Sequence, residues 1–189
     1  MTKTLCLMFA GLAAVPLAAL AQESGSAPAN PISASEKGMY AMLSSGTAIA
    51  AAEKMPEEYY SFKPTPDVRS FGQLVGHLAD SQYYFCSTAA GETTPASNIE
   101  KSKTAKADLL VSLKDAVSYC TKVYAGMTDA KGAQMVKLMN FDLARLTVLS
   151  ANTAHMDEHY GNMVTYMRLK GIVPPTSDKS TKKDSAAEK

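Results

Sequence analysis

The chain has 189 residues, 46% of them hydrophobic and 20% charged, with 19 Lys and Arg against 18 Asp and Glu and a net charge of +1. That balance argues against an extended basic face for nucleic acid or a polybasic membrane surface. The length suits one domain with a real core.

The N-terminus reads MTKTLCLMFAGLAAVPLAALAQESG. Lys3 is a short basic head, and Leu5 to Leu20 is an uncharged apolar run that is too short to span a bilayer and is interrupted by Pro16. Ala19-Leu20-Ala21 is a small-x-small cleavage signal. Residues 1–21 therefore read as a secretory signal peptide, with a mature start at Gln22 and a periplasmic or secreted destination. Cys6 is not at a cleavage junction, so no lipoprotein signal is present. No later segment is apolar and long enough to be a membrane span. Residues 22–32, rich in Ser, Ala and Pro, read as a disordered leader, and 176–189 as a disordered charged tail.

Between them, over 33–175, the pattern is helical. The first helix spans about Ser33 to Lys54, with Met39, Leu43, Gly46 and Ala50 at three-four spacing and Pro56 beyond its end. After a loop with Pro64 and Pro66, Asp67 or Ser70 caps a second helix running to about Ala90. A polar link, GETTPASNIEKSK, leads to a third helix from about Thr104 to Ala125, with Leu109, Leu113, Ala116, Cys120 and Val123 on one face. GMTDAKG reads as a loop, and a fourth helix runs from about Asn140 to Lys170, closed by Gly171 and Pro174-Pro175. No stretch shows convincing strand alternation. An all-α four-helix bundle is the expected fold.

The chain contains only 3 histidines. His155 and His159 lie one helical turn apart and project side by side. His77, on the second helix, is the only other imidazole. Three histidines around one ion leave a fourth position open, which is the arrangement of a catalytic zinc-like site; a structural zinc usually takes four protein ligands. His77 lies at the margin of an apolar arc of Phe71, Leu74, Val75, Leu78 and Phe85, where an unpaired ring is costly. The alternative is a set of ordinary partly buried histidines. A zincin is excluded, because Met156 occupies the place of the glutamate in H-E-x-x-H.

Two stretches, SFKPTPDVRSFGQLVGHLADSQYYF and NTAHMDEHYGNMVTYMRLKGIVPP, resemble the DinB/YfiT-like superfamily of metal-dependent four-helix-bundle proteins. The shared features are a proline-containing loop, a helix with one His, and a last helix with H-x-x-x-H-x-G ending in Tyr166, Arg168, Leu169 and Gly171. The resemblance covers roughly residues 35–175. It implies an up-down-down-up bundle holding a divalent metal, zinc or nickel, on His77, His155 and His159. It also implies transfer or isomerisation chemistry with small thiols. Asn162 departs from the glutamine that family members often carry after the glycine.

At 100° per residue, Asn152, Asn162 and Tyr166 fall within about 40° of the His155/His159 direction, and Gln73, Ser81 and Tyr84 near that of His77. These are candidates to orient the ligands or touch a small-molecule substrate. Asp80, at about 60° from His77, and Glu158, at about 80° from the pair, are candidate bases alongside Tyr84. Cys86 and Cys120 are the cysteines left after cleavage. Were the second and third helices antiparallel, the two would differ in height by about 18 Å; parallel helices would place them level. The topology of the resembled family requires the parallel pair, which would let Cys86 and Cys120 form a disulfide in an oxidising compartment; the alternative is two free core thiols. Three functions remain open: a metal-dependent transferase or hydrolase, a non-catalytic exported metal-binding protein, and a metal-free helical binding module. A homodimer is compatible with all three.

Overall fold

The computed structural model describes residues 29–179; the expected signal peptide, most of the leader and most of the tail lie outside them. The first long helix is α1 (Pro31–Leu43), continued through a π-helical segment (Ser44–Ile49) into α2 (Ala50–Lys54). It starts two residues earlier than the sequence suggests. Pro31 fits the first helical turn, where no N–H is needed. Asp129 supplies the missing cap from across the fold, accepting from the backbone N–H groups of Ile32 and Ser33.

Helix α3 (Phe71–Ala90) opens with a capping box, in which Ser70 accepts from the Gln73 N–H and Gln73 accepts from the Ser70 N–H. It ends at Gly91, whose φ of 76° suits glycine. The polar link contains a short helix, α4 (Ile99–Ser102), before α5 (Lys106–Ala125). A further short helix, α6 (Asp129–Gly132), precedes α7 (Arg145–Leu169).

The direction of each long helix follows from its contacts. Lys106 at the start of α5 donates to the carbonyls of Glu53 and Met55 at the end of α2, so the first and third long helices are antiparallel. Tyr83 packs on Tyr119, and Cys86 is joined to Cys120 by a disulfide with Cα atoms 5.4 Å apart. Helices α3 and α5 therefore run parallel. Gln82 pairs with Asn152 while Tyr166 reaches back to Arg69, so α3 and α7 are antiparallel. The result is an up-down-down-up bundle around a core that includes Leu74, Leu78, Leu113, Leu149, Met156 and Met163.

Two regions differ from the sequence reading. Residues expected to be loop and first helical turn form a hairpin, β1 (Met135–Leu138) and β2 (Phe141–Ala144), with Leu138 opposite Phe141 and Met135 opposite Ala144. The strands are too short for alternation to register. Their turn places Met139 at φ 52°, a position where Gly or Asn would be the recognisable signal. Helix α7 consequently begins at Arg145 rather than near Asn140. At the other end, part of the expected tail is docked: Thr176 hydrogen-bonds the Tyr160 hydroxyl, and Asp178 pairs with Lys54.

A buried polar layer crosses the middle of the bundle. Tyr40 donates to Gln82 Oε1 at 2.7 Å, Gln82 and Asn152 exchange amide hydrogen bonds, and Asn152 donates to the Tyr124 hydroxyl at 3.2 Å. The disulfide lies against this layer. With a sequence separation of 34, the cross-link is expected to contribute about 3–4 kcal/mol by restricting the unfolded chain. Chemical denaturation of a Cys86→Ala/Cys120→Ala variant should show at least that loss relative to oxidised parent protein.

Candidate metal centre

The antiparallel packing of α3 on α7 brings His77, His155 and His159 together. One ligand atom from each lies within 4.8 Å of the other two. His155 Nε2 is the hub, 3.3 Å from His77 Nε2 and 3.2 Å from His159 Nε2. His159 is buried, and the other two rings are partly buried.

What lies behind His77 fixes which of its nitrogens faces inward. His77 Nδ1 is 3.3 Å from Glu100 Oε2. An ionised carboxylate only accepts, so Nδ1 carries the proton and Nε2 presents a bare lone pair to the centre. Asn162 Nδ2 lies 3.3 Å from His159 Nδ1; an amide nitrogen only donates, so in this orientation the side chain meets the Nδ1 lone pair and holds no proton there. His155 Nδ1 is buried without a partner, and its ring is held by packing against Phe85 at 5.5 Å. Metal-ligating histidines commonly have an accepting outer partner, and among these three His77 has one.

The donor set fits a divalent transition ion. Because His155 Nε2 faces both neighbours, no choice of tautomers gives every close nitrogen pair its own hydrogen bond. Burial lowers the pKa of all three rings. For His155, burial, then His159 and His77, push it down to about 4. Three neutral imidazoles whose ring nitrogens converge are ligands that need no deprotonation near neutral pH. The cluster adjoins a cleft of about 530 Å³ lined by Lys63, Arg69, Gln73, Glu100, His159 and Tyr166, among others.

The remaining sequence candidates separate clearly. Asn162 and Tyr166 are at the site; the Tyr166 hydroxyl donates to the Arg69 carbonyl at 2.8 Å. Gln73 lines the cleft while capping α3. Ser81 is buried on α3 with no hydrogen bond to the three rings, and Tyr84 packs on Phe85. Asn152 belongs to the polar layer in the core, not to the rings. Asp80 has both oxygens occupied by the backbone N–H groups of Ile99 and Glu100, at 2.9 and 3.0 Å, so its role is to cap α4. Glu158 is exposed. Sequence reasoning missed Glu100 and Arg69. Glu100 sits in a polar link without periodicity, and only its position three residues after Ser97 in a Pro-broken stretch hinted at a short helix there.

The depressed His155 pKa has a consequence for metal-free protein. The unfolded chain takes up a proton near 6.5, whereas the folded chain resists until about 4. This contribution to stability is complete above the unfolded value and is lost as pH falls from about 6.5 through about 4. Measured in chelator, parent protein should lose stability relative to His155→Asn as pH falls across that window.

Comparison with known proteins gives the family. A model of the DinB superfamily matches residues 46–163, more than half of the chain. A DinB-like protein, YjoA, from Bacillus subtilis is similar in structure, with a TM-score of 0.59 and 22% identity over 72% of this chain and 92% of that one. A DinB-like protein from Bacillus cereus ATCC 10987 has a TM-score of 0.64 and 13% identity over 77% of this chain and 94% of the other. No curated protein matches the chain in sequence. The bundle direction, the histidine cluster and the family match agree: the chain belongs to the DinB superfamily.

Proposed function

We propose that this is an exported metal-binding protein that holds one divalent transition ion, zinc or nickel, on His77, His155 and His159, and uses it in transfer or hydrolysis of a small substrate. The observation that carries the reading is the convergence of three neutral imidazole nitrogens beside an open cleft. Three protein ligands leave room for a substrate atom or water, which is what separates catalytic from structural sites of this kind. A bound ion there supplies Lewis acidity and lowers the pKa of a coordinated water or thiol.

The chain's own groups then have distinct tasks. Glu100 orients the His77 ring from behind, and Asn162 lies against the outer nitrogen of His159. Lys63 and Arg69 flank the cleft alongside Asp67 and Glu100, so its lining carries both signs of charge and no net preference for one. Tyr166 fixes the loop that carries Arg69 through its hydrogen bond to that residue's carbonyl. Small thiols are one substrate class that fits, since a thiolate is a strong ligand for such an ion. Export is supported by the signal-like N-terminus and by the buried disulfide, a bond that persists in oxidising compartments.

Two measurements test this. His77→Ala, His155→Ala and His159→Ala should each weaken zinc or nickel binding by more than the ~10–100-fold typical of losing an outer partner. Circular dichroism should show the helices retained, because the apolar core is separate. Equal affinity in all three variants and parent would contradict the site. Intact-mass analysis of protein from a periplasmic extract should give a chain beginning at Gln22; a retained segment 1–21 in the membrane fraction would contradict export.

A further inference from the structure

We propose that α4 is an outer arm of the metal centre, and that Glu100 is a positioning residue that holds His77 with Nε2 turned toward the ion. The inference rests on the three-histidine reading and assigns a role to a connection between helices that would otherwise be a plain crossover.

Four observations place the arm. Asp80, one turn beyond His77 on α3, accepts from the backbone N–H groups of Ile99 and Glu100. These are the first two residues of α4, so the arm is anchored to the helix that carries the ligand. Gly76, next to His77, makes the approach possible: a Cβ there would lie 2.6 Å from Glu100 Cα and 3.0 Å from its backbone nitrogen. Ile99 is buried in the core cluster, which fixes the arm's rotation. The Glu100 carboxylate is then held between two partners, with Arg69 Nε donating to Oε1 at 2.9 Å and His77 Nδ1 lying 3.3 Å from Oε2.

This arrangement has a definite chemical effect. An acceptor at Nδ1 places the proton there and leaves Nε2 free to coordinate. The carboxylate also raises the basicity of the ring as a ligand, and its second contact to Arg69 stops it from swinging away. Because Gly76 and Asp80 act only by seating α4, their substitution should act on the metal through Glu100 and not through the histidines.

The test is zinc affinity of the full mature chain, measured by competition with a chelating indicator, with the melting temperature of metal-free protein as the control. Glu100→Ala should weaken zinc about 10–100-fold with little change in that melting temperature. Glu100→Gln, which keeps an acceptor oxygen, should recover part of the loss; a merely structural role for the side chain would not predict this rescue. Gly76→Ala should weaken zinc although every ligand and Glu100 remain. Gly76→Ala combined with Glu100→Ala should be no weaker than the weaker single variant. Should Gly76→Ala fail to fold, Asp80→Asn makes the same comparison. If parent protein binds zinc and Glu100→Ala binds it equally well, or if the double variant shows the sum of both losses, the arm is refuted and the metal site stands. If parent protein binds no zinc, both readings fall together.

Discussion

The site depends on one packing relation, the antiparallel contact of α3 with α7. His77 comes from the first of these helices and His155 and His159 from the second, so their meeting is a consequence of how the two helices register. That register is set by contacts on either side of the rings. Gln82 and Asn152 form a reciprocal amide pair in the core, and an amide pair buried there tolerates no sliding without leaving donors unsatisfied. Tyr166 to Arg69 fixes one end of the contact, and Arg145 to the Ala89 carbonyl fixes the other. The rings sit between these points and inherit their spacing.

The second helix pair contributes a different constraint. A parallel pair needs a connection long enough to return along the whole helix. Here that connection does more than return, because it carries α4 back over α3. The disulfide then ties the far portions of α3 and α5 together. The half of the bundle that carries the histidine cluster is held by hydrogen bonds and close backbone approach as well as by its apolar core, and the other half also by a covalent cross-link and stacked tyrosines, Tyr40 on Tyr124 with ring centres 4.0 Å apart.

Much of this was legible in the sequence. The four long helices follow from apolar spacing and punctuation, and the histidine pair from its four-residue separation. The Cys86 and Cys120 positions are level only if their helices run parallel. Other features were hidden for physical reasons. The hairpin has strands of four residues and a methionine where a glycine would mark the turn. Glu100 lies in a stretch with no periodicity, and its partner relation to His77 depends on a tertiary cap from Asp80. Asn152 shares the angular direction of the histidine pair but sits one turn deeper. Angle alone therefore assigned it to the site, whereas height puts it in the core network. Asp80 has the right residue type for a base, yet both its oxygens are committed to backbone donors.

The central claim is that one ion binds at the point where the three imidazoles converge. Anomalous diffraction at the zinc edge, from crystals of untagged protein grown with zinc, tests it most directly. The account predicts a single strong peak at about 2.0–2.1 Å from Nε2 of His77, His155 and His159, with a non-protein atom in the remaining position. A peak elsewhere on the surface, or none at this point in well-ordered crystals, would contradict it.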